Sequence, residues 1–79
     1  MIDKILDWFP EDDLLIIDGF DEAIIGIETN SARVIYSVTK CIEILKQEMS
    51  LEDALDYFHF NIEGAYLGDK TPIYCMDEL

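Results

Sequence analysis

Two amphipathic stripes with almost no linker between them constrain this chain more than any other feature. Val38, Cys41, Ile42, Leu45 and Met49 fall at i, i+3, i+4, i+7 and i+11, and Leu51, Ala54, Leu55, Phe58 and Ile62 repeat the pattern directly afterwards. Lys40, Glu43, Lys46 and Gln47 occupy the opposite face of the first stripe. Two helices so closely joined must turn back on each other, and each needs an apolar surface to cover, so an αα-hairpin packed on a sheet is expected. Ser37 or Thr39 can cap the first helix. In "SLED" Ser50 opens the second, with Asp53 in the place of the usual capping-box Glu or Gln.

The remaining segments supply the sheet. Ala23 to Glu28 is rich in isoleucine and reads as a strand, as does "RVIYS" at 33–37; "TNSA" between them has turn chemistry, with Asn30 able to take a left-handed conformation. "TPIYCM" at 71–76 has a strand's composition, and Pro72 suits a strand start or an edge. Gly64 and Gly68 end the second helix and shape the loop "EGAYLGDK". Leu14 to Ile17 is too short to classify by period and reads as either a strand or a buried linker. At the start, Ile2, Ile5, Leu6 and Phe9 form a stripe opposite Asp3, Lys4 and Asp7 that Pro10 stops. The expected architecture is one α+β domain over residues 1–79: a short N-terminal helix, a β-hairpin, an αα-hairpin and a C-terminal strand. Together they make a small antiparallel or mixed sheet with its helices on one face.

Charge decides what such a domain can approach. Eighteen acids face five bases, a net charge of −13, while 51% of the residues are hydrophobic, so the chain is no disordered polar segment. With a radius of gyration of about 12 Å the domain carries one net charge per ~2 to 2.5 Å of its diameter, against one per ~1.7 Å along duplex DNA. Nucleic acid and anionic membranes are repelled within a Debye length of ~8 Å, and a basic protein surface is attracted. The acidic N-terminal helix lacks the basic face of a membrane binder, and no stretch approaches the ~20 apolar residues of a membrane span. Cys41 and Cys75 are isolated, with no CxxC and no leader peptide ahead of them, which reads as two small core residues of a cytoplasmic protein.

Four segments, "DWFPED", "DGFDEAIIGIE", "VIYSVTKCIEIL" and "ALDYFHFNIEGAYLGDKTPI", together resemble a family of small uncharacterised proteins of tailed bacteriophages and prophages. The resemblance runs over residues 7 to 75, with "FNIEGAYLGDKTP" its most distinctive block. It implies a phage or prophage setting, and hence the cytoplasm of a host cell, without implying an activity. Family members often carry an acidic residue where this chain has His59.

Chemistry finds little support. Asp18, Asp21 and Glu22 lack the alternating ligands and closing Glu of a calcium loop and read as a solvated rim, with Gly19 making a turn, so no metal or other cofactor is assigned. His59, the single histidine, reads as a boundary residue with one satisfied nitrogen; the cysteines carry no thiol-enzyme signature, and the four glycines make no nucleotide loop. Phe58, Phe60, Tyr66 and Tyr74 read first as aromatic filling of the core, with the loop 63–70, bearing Tyr66, Leu67 and Lys70, as a second contact surface. The functional expectation is a non-enzymatic acidic protein that binds a basic surface of a host protein as an inhibitor or nucleic-acid mimic. Its contacts are assigned to Trp8, Glu11, Asp12, Asp13, Asp18, Asp21, Glu22 and Tyr66. The alternative is a self-associating accessory domain, a homodimer whose charge serves only solubility.

Overall fold

The computed structural model describes Asp7 and residues 14–77. Of the expected N-terminal helix only Asp7 is among them, helical and exposed; the rest of that helix, with Trp8, Glu11, Asp12 and Asp13, lies outside the described residues. Strands β1 (Ile24–Glu28) and β2 (Arg33–Ser37) form the hairpin; helices α1 (Val38–Leu45) and α2 (Leu51–Tyr57) follow; a π-helical segment (Phe58–Glu63) extends α2; and β3 (Ile73–Cys75) closes the sheet. The sheet order is β1-β2-β3, with β1 antiparallel and β3 parallel to the central β2, so the α+β class and the mixed sheet are those expected.

The hairpin owes its turn to Glu28. Its carboxylate accepts from the Asn30 N–H (3.2 Å) and from the N–H and hydroxyl of Ser31 (both 2.9 Å), while the Ala32 N–H closes the loop on the Glu28 carbonyl (2.8 Å). These donors, the Asn30 N–H foremost, hold the carboxyl below the usual carboxylate range. The left-handed residue is Ala32 (φ 55°), where Asn30 was expected. With the 30 and 31 amides gathered on Glu28, the chain has to reverse one step before β2. That position is buried, and a methyl group fits it at an αL cost of roughly 1–2 kcal/mol. A bulge between Ile24 and Gly26 keeps Ile24 and Ile27 opposite Tyr36 and Val34 on the inner face.

Strand β2 runs straight into α1 at Ser37, which is fully buried. The Ser37 hydroxyl accepts from the Lys40 N–H (3.2 Å), capping α1, and donates to Asp77 Oδ1 (2.6 Å) just past β3. A three-residue parallel strand has few ladder bonds of its own, and side chains flanking β2 hold its other end. The Arg33 guanidinium donates to the Thr71 carbonyl, and the Lys70 ammonium donates to the Ser31 carbonyl (2.6 Å). Tyr36 stacks on Tyr74 (6.1 Å), which meets Phe58 edge-on (5.4 Å). The Ile17 N–H donates to the buried Tyr36 hydroxyl (2.7 Å), so Leu14 to Ile17 is a half-buried linker laid on the core and not a strand.

The core is one cluster: Ile24, Val34 and Tyr36 from the sheet meet Cys41, Ile42 and Leu45 from α1 and Ala54, Phe58 and Ile62 from the second helical segment. Both helices therefore cover one face. Here the stripe expected on the second helix is corrected, because Leu51 and Leu55 are about half exposed (51% and 50%). The inner line is Ala54, Phe58, Ile62. Four residues overshoot one α-turn by about 40°, so Phe58 drifts past Ala54. The wider i→i+5 winding of the π segment returns Ile62 beneath it. The Gly64 N–H closes that winding on the His59 carbonyl (3.1 Å), which a Cβ at position 64 would meet at 2.9 Å; only glycine fits there.

Two outcomes test this arrangement. Ser37→Ala removes a cap and the tether to Asp77 and is expected to cost about 1–3 kcal/mol, read as a lower urea midpoint at unchanged m-value. Burial pushes the Cys41 thiol up to about 11 and the Tyr74 hydroxyl up to about 12, and raises Tyr36 as well. These groups bind their protons more tightly folded than unfolded. Their contribution is thus complete below ordinary values of 9.0 for the thiol and 10.0 for the phenols, and is lost as pH climbs toward 12. Urea midpoints measured across that window should fall steadily and reversibly.

Candidate functional site

The acidic rim is built by a turn and a short 3₁₀ helix. Gly19 (φ 89°) turns the chain after Asp18, and Asp21–Ala23 coils once before β1, anchored by the fully buried Ala23. Asp18, Asp21 and Glu22 are all exposed, and they line an open depression of about 440 Å³ against Ile44 of α1 and Gln47 in the turn that follows it. A neighbouring depression of about 260 Å³ adds Lys40 and Glu43. The three carboxylates expected to act together are therefore brought together. Among the described residues no three His, Cys, Asp or Glu side chains gather as metal ligands.

Tyr66 is elsewhere. It is 80% exposed in the loop between Gly64 and Thr71, which Lys70 and Thr71 tie to the Ser31–Arg33 end of the hairpin, whereas Asp18, Asp21 and Glu22 sit where β1 begins. The loop is internally bonded: Leu67 N–H donates to the Thr71 hydroxyl (2.9 Å), which donates to the Gly68 carbonyl (2.6 Å). Tyr66 and the acidic rim thus occupy opposite ends of the sheet. Trp8, Glu11, Asp12 and Asp13, assigned to the same surface, lie outside the described residues.

The aromatic quartet divides. Phe58 is buried and Tyr74 packs on the core with its hydroxyl toward the Ile62 carbonyl (3.5 Å), while Phe60 (72% exposed) joins Tyr66 at the surface, against the expectation of core filling. Residues two apart on a helix point about 200° from each other, so Phe58 and Phe60 cannot both face inward. That geometry was the available signal. Phe60 belongs to a surface the sequence pattern missed, in which exposed Leu51, Leu55 and Met76 join it around Val38 and Ile42 in two adjoining depressions of about 280 and 510 Å³.

His59 is exposed, its Nδ1 3.2 Å from Glu63 Oε1 and its ring edge-on to Phe60. One nitrogen is paired as expected, although the residue stands out in solvent and not at a core boundary. Cys41 is buried, and with its thiol pushed up to about 11 it is protonated at neutral pH; Cys75 is half-buried and also free. Among the described residues no helix is long and apolar enough to cross a membrane.

Like charges held together on an exposed rim repel. Asp18→Asn/Asp21→Asn/Glu22→Gln is expected to raise Tm by about 1–3 °C at low ionic strength. The gain should vanish in concentrated salt, as thermal melts in the two buffers would show.

No protein-family model, no curated protein and no solved structure matches the chain.

Proposed function

We propose that this chain is a small, acidic, non-enzymatic binding protein, phage-encoded and acting in the host cytoplasm, that occupies a basic surface of a host protein as an inhibitor or nucleic-acid mimic. The observation that carries the reading is the disposition of charge. Asp18, Asp21, Glu22, Glu43, Glu48, Glu52, Asp53 and Asp56 are exposed, and the one side-chain ion pair among the described residues, His59–Glu63, engages neither Lys nor Arg. Two of the four described bases, Arg33 and Lys70, are spent on backbone carbonyls in holding β3. The anionic exterior is therefore left largely uncompensated. Its field accelerates encounter with a cationic surface and disfavours polyanions.

A second reading, self-association, is favoured by one observation. Ile35, Ile73 and Cys75 share the sheet face turned away from the helices and are only half-buried, with β3 ending the sheet among the described residues. Light scattering at micromolar concentration separates the two, a salt-resistant dimer supporting self-association. For the first reading, affinity for a captured host partner should fall by roughly tenfold or more when salt rises from about 50 to 300 mM, and the partner should be basic. A bound partner that is acidic and indifferent to salt overturns it.

A further inference from the structure

Resting on the reading of an acidic binding protein, we infer that the groove between α1, α2 and the end of β3 is the seat of a basic amphipathic helix supplied by the partner. Its floor is apolar and open: Leu51, Leu55, Phe60 and Met76 are between 50% and 72% exposed, and Val38 and Ile42 lie between them. Four large apolar side chains left in water in one groove of so small a domain are a cost that an occupant relieves. The dimensions suit a helix. From Leu51 to Phe60 the helical rise is about 13 Å, close to the ~11 Å spanned by anchors at i, i+3, i+4 and i+7.

Charge selects among apolar occupants. Carboxylates of Glu43, Asp56 and Glu63 stand on the rim against one ammonium, that of Lys46, with His59 beside Glu63. A helix carrying Lys or Arg beside its apolar face meets this rim with opposite charge. The chain's own leading stripe, Ile2, Ile5, Leu6 and Phe9, is flanked by Asp3, Asp7 and Glu11 to Asp13 against Lys4 alone, and a second copy brings a further net charge of −13. Both carry the wrong sign, as does an anionic lipid surface. The π segment has a part in the site, since its wide turn buries Phe58 and Ile62 while presenting Phe60.

The test uses the full chain and two labelled Leu/Lys peptides of about 16 residues with identical composition, one with leucines at i, i+3, i+4 and i+7, the other with them spread round the helix. In anisotropy titrations at about 150 mM salt the amphipathic peptide should bind at least ~10-fold tighter. Leu55→Asp and Phe60→Ser, both at exposed positions that leave the core intact, should each remove that advantage, while Asp18→Asn/Asp21→Asn/Glu22→Gln should preserve it. Amide shifts should concentrate in α1, α2, the π segment and Met76. Equal binding of the two peptides overturns the groove while leaving an acidic binding surface standing; binding of neither overturns both. An equally tight Leu/Glu peptide overturns the charge selection, and tighter binding after Leu6→Asp assigns the groove to the chain's own leading segment and so overturns the proposal.

Discussion

Everything in this domain is referred to its central strand. Among the described residues β2 is the only strand with two neighbours, and the residues at and beside its ends hold what the short ladders cannot. Ser37 joins β2 to α1 and reaches Asp77 forty residues on; Arg33 fastens Thr71; Tyr36 fixes Ile17 through its hydroxyl and Tyr74 through its ring. Apart from the Ser37 cap on α1, each contact joins segments distant in sequence, so ordering one strand orders the linker at Ile17, the start of α1 and the 71–77 segment at once. In a chain of this size, where the net stability is a small difference between large terms, such convergence keeps the transition cooperative.

The constraint also explains where charge can go. The core is built from apolar side chains of the sheet and of both helices, and Ser37 is the one buried polar residue among those described, so the described carboxylates all lie outside it. Of the described acids, those with structural work face outward while doing it: Glu28 organises the hairpin loop and Asp77 receives Ser37. Glu52 and Asp53 stand in the first turn of α2, where the helix dipole favours acids, and Glu63 pairs with His59. A surface of this sort is weakly self-repelling and strongly attractive to cations, and both properties follow from crowding acids on a small domain.

Local rules made much of this readable in the residues. "RVIYS" occupies its expected positions exactly as a strand, and Ser37 and Ser50 cap the helices that follow them, because strand composition and capping act over a few residues. The first stripe is buried at Cys41, Ile42 and Leu45, whereas Val38 is half-buried and Met49, also half-buried, lies past the end of the helix at Leu45. In the second only the line Ala54, Phe58 and Ile62 is buried, carried past the end of α2 by the π turn that Gly64 closes on the His59 carbonyl, while Leu51 and Leu55, within the regular α segment, line the open depression beside α1 and Met76. Ala32 replaced Asn30 as the left-handed residue because a side chain outside the turn, Glu28, chose the loop's hydrogen bonds. Among the candidate contacts, the proximity of Asp18, Asp21 and Glu22 was evident from their spacing. The separation of Tyr66 was not, because it depends on β3 running parallel to β2.

The two cysteines differ in a way that turns the molecule into its own probe of motion. Cys41 is 1% exposed beneath the sheet, and Cys75 lies half-covered on the last strand. A thiol reagent can reach the first only when the helices leave the sheet, whereas the second becomes accessible on mere fraying of β3. The native chain thus carries two chemical clocks, one set by global opening and one by detachment of its edge, with no label to be engineered.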